Sequence, residues 1–193
     1  LKLSRGLGDV YKRQALKVVL NAKLRNTAIC GATETVLLNE KLLKKFSKVL
    51  ITKLESNKCV VYTDNKIRKI YKGNTILASE KNWKTEYLAS KVSIKSVKDV
   101  NEAIRHINKY GTKHTDAIIC RNKRTSEIFL KNVKSSITMR NTSTQFADGG
   151  EFGFGAEVGI STNNLPPRGP VGLGQLVSCL LYTSPSPRDS FRS

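Results

Sequence analysis

Histidine and cysteine are scarce in this chain, two of the first and four of the second. Cys30, Cys59, Cys120 and Cys179 form no C-x-x-C pair, and no histidine stands at ligand spacing from any of them, so no metal site is expected. Apolar runs are short: none approaches the roughly 18 residues that cross a bilayer. Residues 1–14 lack the apolar central stretch of an export signal. The absence of that signal leads to the expectation of a reducing, cytoplasmic location with free thiols and no membrane partner. No glycine run is followed by Gly-Lys-Ser/Thr, which excludes a P-loop, and no internal repeat is found.

Acidic residues are also few. Fifteen Asp and Glu face 34 Lys and Arg, for a net charge of +19. A basic excess of this size first suggests nucleic acid. The lysines, however, are spread along the chain among Asn, Ile and Ser, without a basic-aromatic platform on which bases could stack. The expectation is therefore no nucleic-acid partner. A basic nucleic-acid-binding module stays as the alternative from another class, and a steep salt dependence of DNA or RNA binding would reveal it.

At 193 residues, 39% hydrophobic and 25% charged, the chain is large enough for one domain with a substantial core. The two ends differ from the middle. Residues 4–14 read SRGLGDVYKRQ and residues 179–189 read CLLYTSPSPRD. A coding string for the first, reverse-complemented and read from its second base, encodes CLLYTSPSPR, and the string resembles a transposon adapter used in sequencing libraries. Residues 1–14 and 177–193 are accordingly expected to be adapter-derived and disordered, flanking a genuine insert. The ends contribute Lys2, Arg5, Lys12, Arg13, Arg188 and Arg192 against Asp9 and Asp189, so the insert keeps most of the basic excess.

Within the insert, short apolar runs alternate with helical patterns. Leu16, Val19, Leu20 and residues 22–24 predict a helix running toward Cys30. Residues 35–38 predict a buried strand. Leu42, Leu43, Phe46, Val49, Leu50 and Leu54 predict a helix over 40–55 with lysines on its other face. Strands are expected at 58–62, 92–97 (with one wetter face), 116–120 and 136–139. Helices are expected near 67–71, at 125–133, and after Ser96, taken as a cap, up to Gly111. This alternation predicts an α/β domain over 15–140 with a largely parallel sheet. Residues 141–176 then form a Gly-rich loop and C-terminal segment, with Phe152 and Phe154 among the glycines of 149–159, a structured loop rather than a linker.

Two stretches carry a family resemblance. Asn21-Ala22-Lys23, then Cys30, then Glu34-Thr35-Val36-Leu37-Leu38 resembles the nucleophile segment of gamma-glutamyl phosphate reductase. Residues 141–157, NTSTQFADGGEFGFGAE, with Ser161-Thr162 and Arg168-Gly169-Pro170, are similar to that family's C-terminal signature, and HINKYGTKHTDAII at 106–119 resembles the family as well. Departures are Leu24, Arg25, Asn26 and Thr27, where the family has a T-Q-R-P-like run, and Gly31, where Asn is common.

The resemblance implies an aldehyde dehydrogenase-like catalytic domain without its cofactor-binding domain. It implies an NADPH-dependent conversion of L-glutamyl 5-phosphate to L-glutamate 5-semialdehyde in proline biosynthesis, through a thioester on Cys30, and a homo-oligomer when the protein is whole. From position alone Cys30 reads as an inert core thiol; the resemblance makes it the nucleophile, with Lys23 and Arg25 near enough to favour the thiolate. Glu86 matches the superfamily glutamate that holds the nicotinamide ribose, against an ordinary exposed acid. Asn141, Ser143, Thr144 and Phe152 are expected to border the substrate, against a loop that only supports the core. Cys59, Cys120, His106, His114 and Glu34 read as structural. Another aldehyde dehydrogenase relative, acting on a different acyl compound, is the closer alternative.

Overall fold

A computed structural model describes residues 1–3, 9–151, 153 and 155–177 of the chain. Seven strands make one sheet: β1 (Lys2–Leu3), β2 (Thr35–Asn39), β3 (Val60–Thr63), β4 (Ile76–Leu77), β5 (Lys91–Val97), β6 (Thr115–Ile119) and β7 (Ile137–Arg140). Their order is β4-β3-β5-β2-β1-β6-β7, and every pairing is parallel. Parallel neighbours need crossovers, which are supplied by α1 (Asp9–Leu24), α2 (Lys48–Ser56), α3 (Asn65–Ile70), α4 (Val100–Tyr110) and α5 (Lys123–Asn132). The predicted α/β class with a parallel sheet is therefore what the chain forms.

The period of two along each strand divides the core between the two faces of the sheet. Val36 and Leu38 of β2 pack with Ala15 and Val19 of α1 and with Leu50, Ile51 and Leu54 of α2. Leu37 faces the other way, with Ala103, Ile104 and Ile107 of α4 and Phe129 of α5. Helix α2 is reached through a 3₁₀ turn at Glu40–Leu42 and a π-turn at Leu43–Ser47, so the expected single helix over 40–55 is present with an irregular start.

Two expectations need correction, the cap of α4 and the disorder of the first 14 residues. Ser96 does not cap α4: it continues β5 and gives its hydroxyl to Asp64, while Asp99 is the cap and accepts from the Glu102 amide at 2.8 Å. β5 does have one wetter face, as expected: Lys91 is exposed and Lys95 half-buried on the side that also carries Ser93 and Val97, while Val92, Ile94 and Ser96 on the other side are all buried. Residues 1–14, by contrast, are not disordered throughout. Lys2–Leu3 fills the slot between β2 and β6, Leu37 donates its amide to the Leu1 carbonyl at 2.7 Å, and α1 already begins at Asp9. An empty slot would leave two facing rows of backbone groups unpaired, and even a two-residue strand satisfies them. Residues 178–193, with Cys179, lie outside the described residues.

The segment after β7 is more regular than its composition suggests. A 3₁₀ turn at Thr144–Phe146 leads, past the glycines, to an antiparallel pair, β8 (Glu157–Ser161) with β9 (Gly169–Gly172), and a final turn of helix, α6 (Leu173–Leu176). Among the described residues, no helix is long and apolar enough to cross a membrane.

Candidate active site

Helix α1 delivers the chain to a tight turn that presents Cys30. Arg25 closes the helix by donating its amide to the Asn21 carbonyl, and the Ile29 carbonyl then accepts from the Ala32 amide at 3.0 Å, placing Cys30 and Gly31 at the tip. The turn is anchored at both feet. The Thr33 amide donates to Ala22 O at 2.8 Å, and the Gln145 carboxamide donates to both Ala22 O and Asn26 O at 3.0 Å. The Thr33 and Thr144 hydroxyls meet at 2.8 Å. Gly31 lies against this second segment: a Cβ there would come 3.2 Å from the Thr144 carbonyl oxygen, a tight contact that a side chain could enter only if the neighbouring backbone gave by a few tenths of an ångström.

Cys30 is exposed, whereas Cys59 and Cys120 are buried. It opens into a cleft at the amino ends of β2, β5 and β6, also lined by Glu34, Trp83, Glu86, His106, Tyr110, His114, Asp116 and Thr144. Ligands of open parallel sheets usually gather at the carboxyl ends of the strands; here the chemistry-bearing residues stand on the turns leading into them. Glu86 is exposed on the cleft wall and makes no hydrogen bond or ion pair among the described residues. The next residue is fixed instead: the Tyr87 hydroxyl meets Ser93 Oγ at 2.8 Å and accepts from Asn82 at 3.0 Å, and its ring stacks on Tyr62.

The two cations expected beside the thiol are engaged elsewhere. Lys23 is fully buried, with its ammonium 2.6 Å from Glu34. Arg25 reaches Glu151 at 3.1 Å on the surface and lies over the Phe146 ring. Each cation is thus paired with a carboxylate rather than left free to face the thiol.

Of the substrate candidates, Thr144 lines the cleft. Asn141 and Ser143 do not. Asn141, at φ +56, spends its carboxamide on the Cys120 amide and the Tyr11 hydroxyl. Ser143 is buried and caps the 3₁₀ turn by accepting from the Gln145 amide. Phe152 and Phe154 lie outside the described residues. Gln145, overlooked in the sequence, is the residue that ties this segment to the thiol turn; an amide without periodic context gives no pattern by which to find it.

Both histidines, read as structural, border the cleft. His106 sits between Trp83 and Tyr110, and burial, with the Lys95 charge second, lowers its pKa to about 4. Burial likewise lowers that of His114, whose Nδ1 meets the Thr115 hydroxyl at 2.8 Å. Asp116 accepts from Ser135 Oγ at 2.7 Å, and burial pushes its carboxyl above the usual range. The site thus offers one exposed thiol, one unpaired carboxylate and neutral imidazoles. Among the described residues, no three His, Cys, Asp or Glu side chains gather as metal ligands.

No family model matches the chain. A gamma-glutamyl phosphate reductase of Bartonella quintana is 48% identical over 179 residues, which is 90% of this chain and 43% of that protein. The crystal structure of gamma-glutamyl phosphate reductase from Thermotoga maritima matches with a TM-score of 0.87 at 36% identity, over 96% of this chain and 45% of the other. An acetylating aldehyde dehydrogenase from Geobacillus thermoglucosidasius, 14% identical, shares the fold with a TM-score of 0.63, over 96% of this chain and 51% of its own.

Proposed function

We propose that this chain, which belongs to the gamma-glutamyl phosphate reductase family and spans about two fifths of the length of the curated relatives it matches, is the thiol-bearing portion of an enzyme that reduces L-glutamyl 5-phosphate to L-glutamate 5-semialdehyde and phosphate. The observation that carries the reading is the seating of Cys30: of the three described cysteines it is the exposed one, on a braced turn, in the cleft that holds Glu86.

The chemistry follows from the thiol. The Cys30 thiolate attacks the acyl carbon, the bond from that carbon to the phosphate oxygen breaks, and phosphate leaves with the electron pair. A thioester on Cys30 remains. A thiolate suits both halves of the task, since sulfur is a strong nucleophile and then a good leaving group. Bound NADPH supplies the hydride that reduces the thioester carbon. Sulfur departs as the aldehyde carbonyl forms, and the thiolate is restored. Glu86 fits a role in holding the cofactor, because its two oxygens are unpaired on the cleft wall and can accept from a pair of ribose hydroxyls. Thr144 borders the substrate beside the thiol. Gln145 and Thr33 hold the turn so that the sulfur need not be ordered at the moment of attack.

With this reading go NADP(H) as the nicotinamide, a place in proline biosynthesis, a cytoplasmic location and self-association of the whole enzyme. The chain alone is expected to oxidise no NADPH, and measurable turnover by it would contradict that. In the whole enzyme, Cys30→Ser is expected to lower kcat by on the order of a thousandfold or more. A variant that keeps its activity would overturn the reading. Turnover of a panel of acyl phosphates tests the substrate separately.

A further inference from the structure

Glu34 holds two parts of the cleft at once. One carboxylate oxygen, Oε2, takes the Lys23 ammonium at 2.6 Å, at the end of the helix that leads to Cys30. The other, Oε1, accepts the Leu88 amide at 3.2 Å, two residues past Glu86. The Glu34 carbonyl also accepts from the Ser93 amide at 2.9 Å, the residue whose hydroxyl meets Tyr87.

Two features show that this is more than packing. Lys23 is fully buried and Glu34 is 16% exposed; a buried ion pair adds little net stability over apolar side chains of the same size, so stability alone is a weak reason for it. Leu88 stands at φ +46, a left-handed conformation that is uncommon outside glycine. Its amide is held by the acceptor on Glu34, and the preceding Tyr87 is held by Ser93 and Asn82.

We infer that the Lys23–Glu34 pair is a strut that sets Glu86 relative to Cys30, with Glu34 as a positioning residue that touches neither substrate nor cofactor. The inference rests on the reading that Glu86 holds the nicotinamide ribose. The strut fixes one end to the helix behind the thiol and the other to the bend that aims Glu86. Loosening it moves the carboxylate while leaving the sulfur on its own anchors, Gln145 and Thr33.

The test compares two double variants in the whole enzyme, both free of an orphaned buried ammonium. K23M/E34Q keeps a carbonyl acceptor for the Leu88 amide; K23M/E34L does not. The expected result is a KM for NADPH raised about tenfold in K23M/E34L with kcat within about twofold, and a KM within about twofold of the parent in K23M/E34Q. Glu86→Gln is assayed beside them. If E86Q leaves the NADPH KM unmoved, the assignment of Glu86 fails and the strut's purpose with it. If E86Q raises KM and K23M/E34L does not, or if the Gln and Leu variants rise together, the strut alone is overturned. Should K23M/E34L fail to fold, hydrogen exchange of the Leu88 amide in the parent decides: protection of about tenfold or more over an open amide supports the strut, and exchange at the open rate refutes it.

Discussion

Acidification should find a weak point in this chain at His106. Its ring is nine-tenths buried against Trp83 and Tyr110, and burial, followed by the nearby Lys95 charge, lowers its pKa from 6.5 to about 4. The unfolded chain therefore takes up a proton between about pH 6.5 and 4 that the folded chain refuses. Stability from this group is fully present above pH 6.5 and is lost as pH falls through 4. Each unit of that interval is worth 1.36 kcal/mol, giving about 3 kcal/mol in all and roughly 2.5 kcal/mol by pH 4.5. His106→Phe keeps a ring of similar bulk between the same neighbours and removes the titration. Urea unfolding followed by circular dichroism at about pH 7 and 4.5 should show the parent losing some 2 kcal/mol more than the variant over that span. Parallel losses would refute the reasoning, since they would mean that the imidazole is solvated in the folded state.

Native alkylation with iodoacetamide, read by peptide mass spectrometry, should label Cys30 well before Cys59 and Cys120, which are buried with thiol pKa values raised by that burial; equal labelling would contradict the assigned exposures. Lys2 is 1% exposed and burial lowers its pKa to about 8, so it disfavours folding wherever its ammonium must be charged. Lys2→Met should stabilise the chain by about 3 kcal/mol near pH 7, a gain that shrinks between pH 8 and 10.5 as the unfolded lysine also loses its proton. Urea midpoints at about pH 7 and 10.5 measure it, and a neutral effect at pH 7 would show that the ammonium reaches water.

Much of the sheet was legible because its code is local. The runs around Val36, Ile94 and Ile118 are apolar and bounded by polar residues, and the stripe of Ala103, Ile104 and Ile107 ends at Gly111, where a Cβ would lie 2.7 Å from the Ile107 carbonyl. Where sequence reasoning failed, the deciding partner was remote. Ser96 resembles a cap until Asp64, 32 residues away, claims its hydroxyl. Lys23 and Arg25 look like neighbours of the thiol, but Glu34 and Glu151 take them. Asn141 and Thr144 look equivalent in a Gly-rich signature, yet only Thr144 faces the cleft, since Asn141 is spent on the end of β6. Cys30 itself was found through a family resemblance; its exposure, which separates it from Cys59 and Cys120, is visible only in three dimensions.

The carboxamide of Gln145 reaches back 119 residues to Asn26 and 123 to Ala22. During synthesis the sulfur therefore leaves the ribosome long before the group that shapes its loop. A nascent chain halted near Arg140 would carry the thiol on a turn held only by its local bonds, from the Thr33 amide to Ala22 and from the Ala32 amide to Ile29. The remaining braces, from Gln145 and Thr144, arrive with polypeptide made some six seconds or more after the cysteine at about 20 residues per second.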